Sequence, residues 1–318
     1  MSDARRLIEF VSRHMQEHPY YAPQRRVLSE PSVSNFEAIP RALPESATLD
    51  TLHSMWRSHR YGVRRAALYG LISRFPDESI THQAVQEVLT TDPLLGNDAL
   101  YWILSSRARP LIPLIADLLW SGRILDCDRS TVLEILLQME YDFRPYEKRL
   151  LQWASTTPTF EDITPFVATA ILLGLGAPSA KRLLDRLLNS QDLYLVELGL
   201  RVLGDYAITP QTIDALVGFV SRLRPDAEAI ACLFRSIEIL ATVPLPEKVL
   251  NQLCRVLERW SQADRSGRFR KALDYFYRAY LSERGYPLGD GIFVRGSREP
   301  AAENRAYLLS YVQRLLDR

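Results

Sequence analysis

Apolar residues recur along most of the chain three or four positions apart, the spacing of one face of an α-helix. In residues 79–93 the apolar positions are Ile80, Ala84, Val85, Val88 and Leu89. Polar residues occupy the opposite face, which predicts that one stripe of each helix is buried and the other faces water. Because the alternating pattern of a β-strand is scarce, the sequence predicts an all-α fold.

The predicted helices come in pairs that are separated by short breaks. Successive pairs begin near His59, Asn97, Arg129, Thr164, Asp192 and Asp226. A repeat of this size is typical of a helical solenoid, because one pair cannot bury its apolar stripe without a neighbour. At the break before residue 210, Thr209-Pro210 predicts a helix N-cap followed by proline at the first helical position.

Three segments within residues 59–260 resemble HEAT repeats. They are YGVRRAALYGL followed by ITHQAVQEVLTTDP, TPFVATAILLGLGAPSAKRLLDRLLNSQD, and LVELGLRVLGDYAITPQTIDALVGFVSRL. The resemblance implies a right-handed α-solenoid of about six HEAT-like helical pairs, in which Gly70 and Gly199 permit close approach of helices and Arg64 and Arg65 form a polar edge. Residues 98–120 and 130–153 depart from the HEAT consensus, so the prediction of helical pairs in these two segments depends on the repeat period and on amphipathicity alone.

The ends of the chain differ from this repeating part. Residues 1–18 are predicted to form an N-terminal helix, and residues 19–48 contain five prolines and are predicted to be an irregular connector. The predicted solenoid then covers residues 49–260. Residues 261–318 are predicted to form a basic and aromatic helical C-terminal cap with a glycine-rich loop at 285–298.

Composition narrows the class of protein. The chain has 318 residues, 47% of them hydrophobic and 24% charged, which is typical of a folded soluble protein. The three cysteines form no CxxC pair, the start of the chain lacks a signal-peptide core, and the longest apolar run is too short to span a bilayer. We therefore expect a cytoplasmic protein without a membrane segment. Because the formal net charge is only +1, attraction to nucleic acid would depend on local patches.

The sequence offers little for catalysis. His14 and His18 lie four residues apart on the predicted N-terminal helix and could suit a metal, but no carboxylate or cysteine nearby completes a convincing set. Asp126 and Asp128 lie in a predicted turn before a helix, where two carboxylates could hold a cation. Helix-surface and turn-forming roles account for these residues more simply. We therefore predict no catalytic residue, no cofactor and no metal.

Basic residues are predicted to line one wall of the solenoid, on the second helix of each pair. They are Lys148, Arg149, Lys181, Arg182, Arg186, Arg222, Arg255 and Arg259. Such a row could bind a phosphate backbone or an acidic peptide, or it could be an ordinary solvated face.

The predicted C-terminal cap combines arginine with aromatic residues, the composition of many interface centres. The residues that we expect to bind a partner there are Arg265, Arg268, Phe269, Arg270, Lys271, Tyr275 and Tyr277. The alternative is that the aromatic side chains cover the end of the solenoid core.

Three functions remain open at this point. The first is a non-catalytic scaffold or adaptor that binds a protein partner, one that could carry an acidic segment. The second is nucleic-acid binding, for which HEAT-like DNA glycosylases are a precedent, although no catalytic set of that family aligns here. The third is an enzyme-assembly factor of the HEAT lyase type, which would need a deep pocket with convergent polar groups.

Overall fold

The structure is a computed structural model that describes residue 43 and residues 46–125, 129–159, 162–281 and 300–317. These residues form fifteen α-helices and contain no strand, which confirms the all-α prediction. They belong to two compact units, unit 1 (Met1–Tyr141) and unit 2 (Asp142–Arg318). The predicted N-terminal helix, nearly all of the predicted connector, the glycine-rich loop and the His14/His18 and Asp126/Asp128 pairs lie outside the described residues.

Unit 1 alternates its helices between two sets. The helices are α1 (Leu49–Trp56), α2 (Tyr61–Arg74), α3 (Ser79–Thr91), α4 (Pro93–Ser105), α5 (Ile112–Trp120) and α6 (Arg129–Gln138). α2 packs on α4 and α4 packs on α6, while α3 packs on α5 and α1 packs on α2.

Unit 2 repeats this alternation over more helices. They are α7 (Glu147–Ala154), α8 (Thr164–Gly174), α9 (Ala180–Leu188), α10 (Leu193–Tyr206), α11 (Pro210–Arg222), α12 (Ile230–Ala241), α13 (Glu247–Ala263), α14 (Arg268–Phe276) and α15 (Ala302–Leu316), and a π-helical turn, Tyr277–Leu281, follows α14. α8 packs on α10 and α10 on α12, and we call these three helices the first row.

The second row of unit 2 consists of α7, α9, α11 and α13. α9 packs on α11 and α11 packs on α13. α7 joins this row because the Arg186 guanidinium on α9 donates to the carbonyl oxygen of Ala154, the last residue of α7, at 2.6 Å. The start of α11 follows from its sequence, since the Thr209 hydroxyl accepts from the N–H of Thr212 and Pro210 takes the first helical position. The predicted cap at Thr209 is therefore confirmed.

Close helix contacts in both units depend on glycine, as the sequence predicts. A Cβ atom built on Gly199 of α10 would lie 2.0 Å from Cε1 of Phe166 on α8, so only glycine allows this approach. In unit 1, a Cβ atom on Gly70 of α2 would lie 2.8 Å from Cδ2 of Leu52 on α1.

A buried ion pair in unit 1 corrects the sequence-based view of Arg65. Its guanidinium donates to both carboxylate oxygens of Asp98, with Nε–Oδ2 at 2.5 Å and Nη2–Oδ1 at 3.0 Å, and both residues are buried. Arg65 thus links α2 to α4 and does not form a polar edge. Of the two arginines predicted at the polar edge, Arg64 is partly exposed, and its Nη2 lies 3.0 Å from Oε1 of Glu87.

In unit 2 a second buried charge cluster lies on α10 and α12. Nη1 of Arg235 lies 2.8 Å from Oε2 of Glu238, and its Nε lies 3.9 Å from Oε1 of Glu197. Glu197 also accepts from Arg201 at 2.9 Å. Burial raises the pKa of Glu238 to about 7, although the charge of Arg235 acts in the opposite direction.

The chain after α13 covers α12. The Phe234 ring of α12 lies 5.7 Å from the ring of Phe269 and 5.1 Å from that of Phe276. The Tyr280 hydroxyl donates to the carbonyl oxygen of Glu238 at 2.9 Å, and the Asn304 side-chain amide donates to that of Ala241 at 2.9 Å. Aromatic residues of the predicted cap therefore complete the core of unit 2.

Candidate functional site

All eight basic residues predicted on the wall of second helices lie on the second row of unit 2, and all eight are exposed. Two of them, Lys148 and Arg149, lie on α7, and three, Lys181, Arg182 and Arg186, lie on α9. Arg222 lies on α11, and Arg255 and Arg259 lie on α13. These four helices carry nine basic and five acidic residues, which gives the row a positive surplus.

Two of these arginines have a structural role. Arg186 donates to the carbonyl oxygens at the end of α7, as described above, and Arg259 of α13 donates to the carbonyl oxygens of Leu223 at 2.9 Å and Ser221 at 3.2 Å, at the end of α11. The last carbonyl groups of a helix lack intrahelical partners and carry partial negative charge, so a guanidinium there is doubly favourable. Each of these arginines therefore fastens its own helix to the preceding helix of the row.

Two more of the eight have side-chain partners. Nζ of Lys181 lies 3.6 Å from a carboxylate oxygen of Asp214, which links α9 to α11. The Arg149 guanidinium lies 5.4 Å from the centre of the Trp153 ring, one turn along α7. Both contacts are at the surface, where such pairs contribute little to stability.

The remaining four residues are Lys148, Arg182, Arg222 and Arg255, and we call them the open cations. Within the part of the chain that the structure describes, their side chains make no hydrogen bond, ion pair or ring contact. An exposed guanidinium without an internal partner keeps its donors available for carboxylate or phosphate oxygens. The structure thus separates the predicted wall into two structural arginines, two residues with side-chain partners and four open cations.

The predicted contact residues of the C-terminal region also separate into two groups. Phe269 is 3% exposed and its ring lies 5.7 Å from that of Trp260, so it serves the core and offers no surface to a partner. Tyr275 and Tyr277 are half-buried. Arg265, Arg268, Arg270 and Lys271 are exposed, and Arg270 also donates to the carbonyl oxygen of Leu316.

The turn between α13 and α14 has a fixed conformation. The Asp264 carboxylate accepts from the N–H of Arg270 at 2.9 Å and from the Ser266 hydroxyl at 3.1 Å. Burial alone would raise the pKa of Asp264, but these hydrogen bonds and those from nearby N–H groups together lower it. Gly267 has a φ of 72°, in the left-handed region that favours glycine.

A pocket of about 230 Å³ lies beside this turn in unit 2. Its apolar wall consists of Pro225, Ala227, Ile230, Trp260, Ala263 and Phe269. Polar side chains also line it, namely Asp226, Asp264, Arg265 and Ser266. We call it the Trp260 pocket. Trp260 is 2% exposed, and its indole Nε1–H has no hydrogen-bond acceptor among the described residues.

Sequence reasoning missed this pocket for a clear reason. Trp260 falls on the apolar stripe of α13, so its position in the sequence indicates a core residue. The loop before α12 and the turn after α13 are far apart in the sequence, and only the fold brings them together. The combination of arginine and aromatic residues at 265–280 indicated the general region of the chain in which the pocket lies.

Among the described residues, no group of three or more histidine, cysteine, aspartate or glutamate side chains could hold a metal ion. In the same part of the chain, no helix has the length and apolarity needed to cross a membrane. No family model matches the chain, and neither curated proteins nor solved structures provide a match. The resemblance to HEAT repeats therefore depends on the sequence patterns alone.

Proposed function

We propose that the protein is a non-catalytic interaction scaffold with an α-solenoid fold of about six HEAT-like pairs, and that its second row binds an acidic segment of a protein partner. The packing within each unit supports the solenoid, because helices contact their next-but-one neighbours. The six helices α2, α4, α6, α8, α10 and α12 begin 29 to 37 residues apart, close to the predicted repeat.

The observation that carries the functional proposal is the set of open cations on one row. A row with surplus positive charge attracts an acidic segment over a distance and favours the correct partner over others. Arginine provides three of the four open cations, and its planar fork can donate two hydrogen bonds to one carboxylate. We therefore expect a partner rich in aspartate or glutamate.

A cytoplasmic location accompanies this proposal. Cys232 and Cys254 are both free and buried. Burial raises the pKa of the Cys232 thiol to about 12 and that of the Cys254 thiol to about 11, so both stay protonated at neutral pH. Buried neutral thiols of this kind are inert and suit a reducing compartment.

The proposal is tested with two charge-reversal variants of the full chain. The row variant changes Arg182, Arg222 and Arg255 to Glu, and the control variant changes Arg57, Arg107 and Arg109, which are exposed residues of unit 1, to Glu. Affinity capture from the native cell after nuclease treatment, with quantitative mass spectrometry, should recover the same partner with wild type and control. We expect the row variant to recover at least tenfold less, because three attractive pairs become repulsive.

Equal recovery by the row variant and the control would contradict the proposal. Nucleic-acid binding is the main competing function, since arginine forks also suit phosphates. It predicts a complex with DNA or RNA that is lost in the row variant and weakens steeply as salt rises, because phosphate neutralisation releases counterions. If such a nucleic-acid complex is found and no protein partner is captured, the scaffold proposal is wrong and the protein binds nucleic acid.

A further inference from the structure

Each helix of the second row of unit 2 carries one of the open cations. From α7 through α9 and α11 to α13 they are Lys148, Arg182, Arg222 and Arg255. The helices below them are packed on one another, and the hydrogen bonds of Arg186 and Arg259 fasten neighbours together. Packed helices have axes about 8 to 10 Å apart, so the first and last helices of the row are about 25 to 30 Å apart along the row.

The surface of this row offers charge and little apolar area. The structure describes all four of its helices in full, and none of them exposes a large apolar side chain. Such side chains are exposed elsewhere in the described residues, at Tyr61, Leu94, Tyr101, Leu175 and Tyr194. An amphipathic helix of a partner needs an apolar groove for its apolar face. The row therefore does not suit a helical ligand of that kind.

An acidic segment has a different conformation before it binds. Like charges one helical turn apart repel, and acid-rich stretches are therefore poor helices. An extended chain rises about 3.3 Å per residue, so three residues cover about 10 Å, the distance between neighbouring helices of the row. A segment with an acidic residue at every third position therefore meets one open cation on each helix, and about ten residues cross the whole row.

We infer that the second row binds an extended segment of the partner, about ten residues long, which crosses α7, α9, α11 and α13 in turn and presents one carboxylate to each open cation. The inference rests on the proposed function and adds the conformation, the length and the acid spacing of the bound segment. Each exposed ion pair is weak by itself, so the affinity depends on all four contacts acting on one chain.

The test compares peptides that differ only in the arrangement of their charge. Each has twelve residues and blocked ends. The spaced peptide carries four glutamates at every third position, with glycine and serine between them. The clustered peptide has the same composition with its four glutamates adjacent, and in the neutral peptide glutamine replaces each glutamate. Binding of the labelled peptides to the full chain is measured by fluorescence anisotropy at low salt, where exposed charge pairs are least screened.

The spaced peptide should bind most tightly. Four adjacent glutamates cover about 13 Å of extended chain and therefore reach two neighbouring helices at most. We expect the spaced peptide to bind about fivefold more tightly than the clustered peptide, because it makes twice as many of these weak contacts. The neutral peptide should not bind.

A double variant at the ends of the row assigns the contacts. The end variant combines Lys148→Gln with Arg255→Gln, which removes the open cations of α7 and α13, and both positions are exposed. It should lower the affinity of the spaced peptide to that of the clustered peptide, since each then meets two cations. The matched control combines Arg107→Gln with Arg109→Gln at exposed positions of unit 1, and it should bind every peptide like wild type.

Three results would overturn the inference. The first is equal affinity of the spaced and clustered peptides, and the second is no binding of the spaced peptide at protein concentrations up to about 1 mM. The third is tighter binding of a single-stranded oligonucleotide with four phosphates, which would make the extended ligand a nucleic acid. Affinity capture with the row variant decides the scaffold proposal by itself. Failure of the extended segment and failure of the scaffold are therefore seen in separate experiments.

Discussion

The two rows of unit 2 use the same types of residue for different purposes. In the first row, residues 164–173 of α8 and residues 232–241 of α12 are buried without interruption, and charge occurs on α12 only as the buried pair Arg235–Glu238. In the second row, α9 and α13 each bury one apolar stripe and expose basic residues. The comparison teaches that an arginine of the first row can complete a buried ion pair, whereas the arginines of the second row lie at the surface, where some fasten two helices and others stay open.

The largest expected difference between the rows is the cost of losing one arginine. Arg235→Gln should destabilise unit 2 by about 3 to 5 kcal/mol, because it leaves the buried Glu238 beside a neutral side chain. Arg259→Gln removes exposed hydrogen bonds to two carbonyl oxygens and should cost about 1 kcal/mol. Urea unfolding followed by circular dichroism measures both.

Arg222→Gln is the control for these two variants, since Arg222 is an open cation. Its free energy of unfolding should stay within about 0.5 kcal/mol of the wild-type value. If the three variants were equally stable, the distinction between buried, fastening and open arginines would be wrong.

The next largest effect concerns the close packing of the first row. Gly199→Ala places a methyl group within 2.0 Å of the Phe166 ring and should destabilise unit 2 by about 3 kcal/mol through overpacking. Gly174→Ala is its matched control on α8, where an added Cβ meets no atom within 4 Å. Alanine has the higher helix propensity, so this control should be neutral or stabilising by up to about 1 kcal/mol. Similar losses in both variants would show that packing on Phe166 is not the cause.

The last effect is gradual, a pH dependence of stability that distinguishes the first row. Burial raises the pKa of Glu238 from 4.5 to about 7, so between these values the folded chain holds a proton that the unfolded chain has released. The contribution of Glu238 to stability is therefore greatest below pH 4.5 and decreases as pH rises to 7, by at most about 1.4 kcal/mol per pH unit. Glu238→Gln should remove this component.

The measurement is the free energy of unfolding of wild type minus that of Glu238→Gln, taken from pH 4.5 to 8. The difference should fall with pH and become constant above about pH 7. Glu228→Gln, at an exposed position, should give no such slope. A difference that rises with pH would mean that the charge of Arg235 outweighs burial at Glu238.

Local signals in the sequence predicted those parts of the fold that depend on neighbouring residues. The helical period and the cap at Thr209-Pro210 are each set within one or two turns of helix. The close approach at Gly199 was predicted from the resemblance to HEAT repeats, since its partner Phe166 lies on another helix, α8. Arg65 was misjudged because its partner Asp98 lies 33 residues away, and no local pattern distinguishes a buried arginine from an exposed one. Phe269 and Trp260 likewise fit an amphipathic stripe, and whether such a ring completes a core or lines a pocket depends on segments that are distant in sequence.

The segments that pack over α12 also constrain the order in which the chain folds during translation. The carbonyl oxygen of Ala241, at the end of α12, accepts from the Ala301 N–H at 2.8 Å and from the Asn304 amide at 2.9 Å. Those donors are translated some sixty residues after their acceptor. Helices α8 to α11 can pack while synthesis continues. The C-terminal end of α12 and its Phe234 ring stay uncovered until the segments that contact them have been translated. This interval is when the nascent chain is most exposed to aggregation or to a chaperone.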